Sequence, residues 1–470
     1  LSLAVGLVVI AIVVGVRGWS VVVRPLAPER DIPFLVDALE SAHPNLFFHE
    51  SESRFLHLAH VAEAELRDHP SRDAFETIAP LVSSLGDAHT YLSPYNDAYE
   101  RILDAGGRSF PFEVHRQHGA ILIDRIYGSE WRITVRDKLL AVNGVPMSII
   151  WRNLGRDISA ERAELRDHVV AENIAPLLWH AGIRAPFHVD VETGSGKRRS
   201  LVLAGCTEDD ISRWEATPEG RTVNPVLVYR YDPRTQIALV RAHSFSDEDV
   251  EDESVFDRGI ATIRGKLRRD RPRDLLIDVR SNDGGASNLA DELTSIFALH
   301  PYRDFSKIDE KSSSFLKHEM EPDDYVAIYG RDALDAPSGT IIHRRDSYTA
   351  PSKRDSAFSG RTYILIGSGT FSMAATFASA AQDAHNAVIM GRESGGLPTY
   401  FGEAHEFTLP YTGYEMNVAT KHFVRGNGDV AQHGVIPTIE LDESPEGTSD
   451  PELRAAFDTI VARRTGGATE

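Results

Sequence analysis

Two side chains of this 470-residue sequence, Ser372 and His89, stand where a nucleophile and a general base would be useful. Ser372 follows the apolar run Thr362-Tyr-Ile-Leu-Ile366 and the turn Gly367-Ser-Gly-Thr370. After it, Met373, Ala374, Phe377, Ala378 and Ala381 recur at helical spacing. The run reads as a buried strand, the glycines as a tight turn and the spacing as a helix. A hydroxyl at such a turn lies near the positive end of the helix dipole, where unpaired backbone N–H groups can meet an oxyanion. By local pattern alone the commoner meaning of such a serine is an N-cap. His89 lies in Gly86-Asp-Ala-His-Thr90, just past a helical stretch from Phe75 to Leu85. A histidine on a loop beside an aspartate and a threonine suits a general base. The chain has 19 histidines, and His43, His49, His57, His60 and His69 receive no role.

A third stretch bears on the same chemistry. Leu275-Leu-Ile-Asp-Val279 reads as a strand, followed by Arg280-Ser-Asn-Asp-Gly-Gly285 and a helix beginning near Asn288. Paired glycines before a helix let backbone N–H groups face a ligand, so Gly284 or Gly285 could donate to an oxyanion. No Gly-Lys-Ser/Thr follows, which excludes a phosphate loop, and no His-Glu-x-x-His spacing supports a zinc site. No cofactor or metal is expected.

Composition narrows the partners. Hydrophobic residues make up 42% and charged residues 26%, as in ordinary globular chains. A net charge of −20 argues against nucleic acid, which needs clustered Lys and Arg. The single cysteine, Cys206, rules out an intramolecular disulfide and any cysteine-based metal site.

The elements that must position these residues follow in chain order. Residues 1–24 open with an apolar run from Leu1 to Val16, flanked by Arg17 and Arg24, and read as a signal peptide or short signal anchor. The expected location is therefore membrane-anchored or secreted, outside the cytoplasm. Residues 28–105 look like a helical domain, with apolar stripes through Leu35, Leu39 and Phe47 and through Phe55, Leu58, Val61, Ala62 and Leu66. Residues 108–206 switch to short strands: Phe112-Glu-Val114, Ala120-Ile-Leu-Ile123, Phe187-His-Val-Asp-Val191 and Arg199-Ser-Leu-Val-Leu203. A helical insertion from Ile158 to His180 interrupts them. Residues 207–224 are polar and read as a linker. Residues 225–445 alternate strands and helices, which suggests crossover units on a largely parallel sheet, and 446–470 form a helix or tail. Ligands of such sheets collect at the carboxyl ends of strands, where both the Ser372 turn and Gly284-Gly285 lie.

In that order the motifs resemble those of the tail-specific, C-terminal-processing serine peptidases, most closely the tricorn-core and interphotoreceptor retinoid-binding protein branch. His43-Pro-Asn-Leu-Phe47 looks like that family's N-terminal helical domain, and Gly86-Asp-Ala-His89-Thr is similar to its Asp-x-His-Thr element. Asp137 through Pro146 looks like half of a PDZ-like domain. Leu276-Ile-Asp-Val-Arg280-Ser-Asn-Asp-Gly-Gly285 resembles the Asp-x-Arg-x-Asn-x-Gly-Gly signature, and Phe371-Ser-Met-Ala-Ala375 the nucleophile turn. Gly391-Arg-Glu-Ser-Gly-Gly396 and Gly434-Val-Ile-Pro437 are similar to the closing elements.

The resemblance implies an α/β (α+β) fold: a crotonase/ClpP-like spiral core with an N-terminal helical domain and a PDZ-like domain. It implies Ser372 as nucleophile, and an oxyanion hole from the Met373 and Gly285 amides. Leu397 stands where the Ser-Lys members carry their lysine, which leaves His89 as the base. The group orienting that base is unplaced, with Asp429 and Glu403 as candidates. Thr376, Thr438 and Ala88 depart from the family's residues at their positions. The implied function is a serine peptidase acting on protein or peptide substrates, touching membrane only through its N-terminal segment. The alternatives are a non-catalytic protein binding peptides or apolar ligands on the same scaffold and, third, an acyl enzyme of the ClpP or crotonase kind.

Overall fold

The computed structural model describes residues 8–14, 19–25, 27–95, 97–128, 132–215, 226–245, 254–351, 357–441 and 450–466. Six strands form the central sheet, in the order Leu227–Asp232, Ile237–Ala242, Asp274–Asp278, Arg361–Ile366, Val388–Gly391 and Ile439–Glu440. The first pair is antiparallel and every later pair parallel, as expected of strands linked by helical crossovers. Both faces are covered, so the strands are apolar at successive positions rather than at alternate ones. Ala238, Val240, Ile277, Ile364 and Ile366 pack on one side with Phe377 and Ala378 of the helix Met373–Asp383. Leu239, Leu276, Tyr363 and Leu365 pack on the other with Ala456 and Ile460 of the helix Pro451–Gly466.

That last helix is also held by charge. Arg280, at the end of the Asp274–Asp278 strand, donates from Nη2 to Asp278 (2.9 Å) and Asp450 (2.7 Å) and from Nη1 to Glu452 (3.0 Å). Burial alone would raise the Asp278 pKa, but the Arg280 guanidinium outweighs it and holds the carboxyl at about 2. Removing one partner would leave a buried charge uncompensated, so Arg280 is a structural tie.

A second, antiparallel sheet runs Ile341–Arg344, Phe305–Lys311, Glu415–Arg425, Tyr400–Thr408. Tyr91–Leu92, the residues just after His89, join its Glu415–Arg425 strand, with Leu92 opposite Met416 and Tyr91 opposite Asn417. A third sheet comprises Phe112–Gln117, Ala120–Ile126, Lys138–Val142, Phe187–Glu192 and Arg198–Leu203, with Val145–Pro146 pairing beside Lys138–Val142. Within the stretch Ile158 to His180 lie two helices, Ala163–Glu172 and Ile174–His180. N-terminal to these, Asp31–Ala42, Glu52–Asp68 and Phe75–Ser83 are helical. The fold is thus α/β with a helical N-terminal region, as expected.

Two local expectations change. The first part of the expected linker, 207–224, is the helix Glu208–Glu215, whose first turn carries Glu208, Asp209 and Asp210 at the positive end of the helix dipole. The remainder, from 216, lies outside the described residues. Within the expected signal segment, Val8–Val14 and Trp19–Pro25 pair as an antiparallel hairpin. Runs of β-branched valine favour strand backbone there. Among the described residues no helix is long and apolar enough to cross a membrane.

Candidate active site

Ser372 occupies the N-cap position of Met373–Asp383, but its side chain makes no capping hydrogen bond. Its backbone has φ 50° and ψ −125°, a left-handed conformation that costs a non-glycine residue about 1–3 kcal/mol. The strained turn re-aims the hydroxyl: Ser372 Oγ lies 2.9 Å from His89 Nε2. The two residues are 283 positions apart in sequence and meet through the second sheet.

The turn is held from the neighbouring strand end. Thr370 Oγ1 accepts from the Gly367 N–H (3.0 Å) and donates to the Val279 carbonyl (2.7 Å), while the Phe371 N–H donates to the Asn282 carbonyl (3.0 Å). Asn282 is fully buried and does more. Its Oδ1 accepts from the Gly284 N–H (2.9 Å) and its Nδ2 donates to the Ala242 carbonyl (3.1 Å). Gly284 and Gly285 have φ of 104° and 123°, values natural to glycine. A Cβ on Gly284 would lie 2.7 Å from Ser372 Cβ and 2.8 Å from Met373 N. Glycine is needed there because the backbone passes against the serine. Met373, as the first helical residue, has no acceptor for its N–H within the helix.

His89 is held from the other side. Asp87 Oδ1 accepts from the His89 N–H (3.0 Å), and its Oδ2 accepts from Thr90 Oγ1 (2.5 Å) and faces His43 Nε2 (3.1 Å). The Ala419 N–H donates to Thr90 Oγ1 (3.1 Å), which pins the loop to the second sheet. Ser159 Oγ donates to the Asp87 carbonyl (2.6 Å), and Glu161 Oε1 accepts from the Ala88 N–H (3.2 Å). Burial, reinforced by the Asp87 charge, pushes the Glu161 pKa up to about 8.

Burial also lowers the His89 pKa to about 4, against the opposing pull of Asp87 and Glu403. The imidazole is therefore neutral at ordinary pH and able to accept a proton. Its ring stacks on Phe371 (centroids 4.5 Å apart, 24° between planes) and on Tyr400 (5.1 Å, 19°). Among the described residues His89 Nδ1 meets no acceptor. Neither candidate third group bonds to it. The Glu403 carboxylate takes Lys421 Nζ (3.1 Å), and Asp429 Oδ1 takes the Ala431 N–H (3.0 Å), with Oδ2 3.9 Å from His433. Leu397 is buried in the core that packs on the central sheet.

The two closing motifs meet as well. Ser394 Oγ donates to the Gly396 carbonyl (2.6 Å) and accepts from the Val435 N–H (2.7 Å). Asn282 and Asp87 lie within motifs already singled out, yet their scaffolding roles were not assigned from sequence. Tyr400 was missed altogether, because nothing local distinguishes it from a core tyrosine. Among the described residues no group of three or more His, Cys, Asp or Glu could hold a metal ion.

The sequence model described as "Peptidase family S41" matches residues 236–441. No curated protein matches the sequence. Among solved structures, mature CPAF complexed with lactacystin aligns at TM-score 0.65 and 16% identity, covering 93% of this chain and 97% of that one. A CPAF point mutant aligns at TM-score 0.67 and 16% identity, covering 93% and 96%. The photosystem II D1 C-terminal processing protease aligns at TM-score 0.46 and 15% identity, covering 93% and 97%. At these identities the CPAF likeness is one of fold.

Proposed function

We propose that the chain, whose residues 236–441 match peptidase family S41, is a serine peptidase with Ser372 as its nucleophile and His89 as its general base. The observation that carries this reading is the 2.9 Å contact between Ser372 Oγ and the neutral His89 Nε2. As Oγ attacks the scissile carbonyl, its proton passes to Nε2. The tetrahedral oxyanion is then met by the N–H groups of Met373 and Gly285. Collapse releases the amine, which takes the proton from His89, and leaves an acyl-serine. Water attacks that ester with His89 again as base.

The surrounding parts take their roles from this chemistry. Residues 28–105 are a helical domain that presents His89, and residues 225–445 the core that presents Ser372. Residues 108–206 are a PDZ-like unit that offers a strand edge to an extended peptide. The substrate is a protein or peptide. The segment 1–24 directs or anchors the chain outside the cytoplasm. Deleting it should abolish recovery from the envelope or medium on fractionation, and unchanged recovery would remove that assignment.

A fluorophosphonate probe tests the nucleophile. Covalent label is expected on Ser372, with none taken up by Ser372→Ala. If unmodified protein and Ser372→Ala are equally unreactive, a non-catalytic binding protein on the same scaffold replaces this reading.

A further inference from the structure

We propose that Phe371 and Tyr400 are positioning residues for His89, holding its imidazole by stacking in place of a hydrogen-bonded acid. The inference rests on the serine peptidase reading, but its decisive measurement needs no turnover.

A base that accepts from Ser372 at Nε2 must carry its own proton on Nδ1, and that N–H ordinarily needs an acceptor to fix tautomer and ring angle. Here Nδ1 is buried with no acceptor among the described residues. The charged groups nearest the imidazole are engaged elsewhere. Asp87, on its own loop, takes backbone N–H, Thr90 and His43; Glu403, from the Tyr400–Thr408 strand, takes Lys421 of the neighbouring Glu415–Arg425 strand. Apart from Ser372 Oγ at Nε2, what packs on the ring is aromatic. Both stacking partners are near parallel to it, at 24° for Phe371 and 19° for Tyr400.

Both partners are fixed to the nucleophile's own frame. Phe371 directly precedes Ser372, and its N–H is tied to the Asn282 carbonyl. Tyr400 is buried, and its hydroxyl meets Thr376 Oγ1 (3.4 Å), one turn into the nucleophile's helix, as well as the Ser372 side chain. Aligning the ring with Ser372 is therefore done by side chains that move with Ser372. The stacked π faces also attract positive charge, so they favour the imidazolium that exists once the serine proton has moved.

The experiment compares Tyr400→Leu, Tyr400→Phe and Phe371→Leu in the Ser372→Ala chain by nitrogen-15 NMR of the His89 imidazole. One tautomer is expected in the parent and in Tyr400→Phe, with tautomeric averaging or line broadening in the two leucine variants. In the chain with Ser372 intact, fluorophosphonate labelling at pH 7 should slow about tenfold in both leucine variants, as loss of a stacking contact implies. Tyr400→Phe should recover most of that loss. Peptide hydrolysis, once a substrate is known, should lose kcat rather than gain KM. An unchanged His89 spectrum in the leucine variants overturns the proposal, even if the protein proves to be no peptidase. A Tyr400→Phe defect as deep as that of Tyr400→Leu also overturns it, by assigning the work to the phenol hydroxyl. Circular dichroism melts identify a variant that fails to fold, and Phe371, only half-buried, is the substitution the core tolerates better.

Discussion

Ser372 Oγ and His89 Nε2 lie 2.9 Å apart although one belongs to a strand-to-helix turn of the central sheet and the other to a loop of the helical region. The pair is preassembled, because Tyr91–Leu92 add to the second sheet and the Ala419 N–H holds Thr90. Closure of a hinge is not needed to bring the proposed base to the proposed nucleophile.

With His89 as the proposed base, its loss should show in turnover alone. His89→Ala is expected to lower kcat by about a hundred- to ten-thousandfold with little change in KM. The same residue should set the acid limb of the unmodified protein's activity. Its lowered pKa of about 4 means kcat/KM should rise through that pH and stay level above it. An acid limb centred near 6.5 would instead describe a solvated histidine.

The aspartate beside the base is expected to matter through geometry. Asp87→Asn keeps an acceptor for the His89 N–H but puts a neutral amide in place of the carboxylate oxygen that receives Thr90 and faces His43. Activity should fall about ten- to a hundredfold, since a small misplacement of a catalytic group costs that much. Equal activity in Asp87→Asn and parent at matched pH would free the loop from this restraint.

Gly284 offers a steric test. An alanine Cβ would press on Ser372 and on the Met373 N–H, at a φ of 104°. Gly284→Ala should reduce fluorophosphonate labelling at least a hundredfold and lower stability by about 1–3 kcal/mol. Labelling at the parental rate would mean that the turn yields without moving the serine.

Glu161 supplies a pH-dependent stability test. The unfolded carboxyl ionises near 4.5, the folded one near 8, so the folded chain holds the extra proton between these values. The stability from this group is fully present below about pH 4.5 and is lost as pH rises toward 8. Glu161→Gln keeps the acceptor for Ala88 and abolishes the dependence. It should be more stable than the parent at pH 8, by roughly 4 kcal/mol, and converge with it below pH 5. A difference that does not vary with pH would place Glu161 in an ordinary environment.

Much of the arrangement is legible in the sequence. The strand Arg361–Ile366, the turn and the helix Met373–Asp383 follow from apolar runs and glycines that act within a few residues. Gly284-Gly285 and the Asp87–Thr90 loop were singled out on the same local grounds. The N-cap alternative for Ser372 was also a local inference, and it identified the position correctly. Only the side chain's choice of His89 over its own helix separates cap from site.

Periodicity and turn chemistry act over short stretches of backbone, so the sequence by itself determined the elements and the residues at their ends. What joins those ends is long-range packing. Tertiary structure alone decided that Asn282 ties two strand ends together and that Glu403 and Asp429 engage other partners. It alone stacked Tyr400 on His89. Such contacts depend on how sheets and helices sit against one another, and no local pattern encodes that distance.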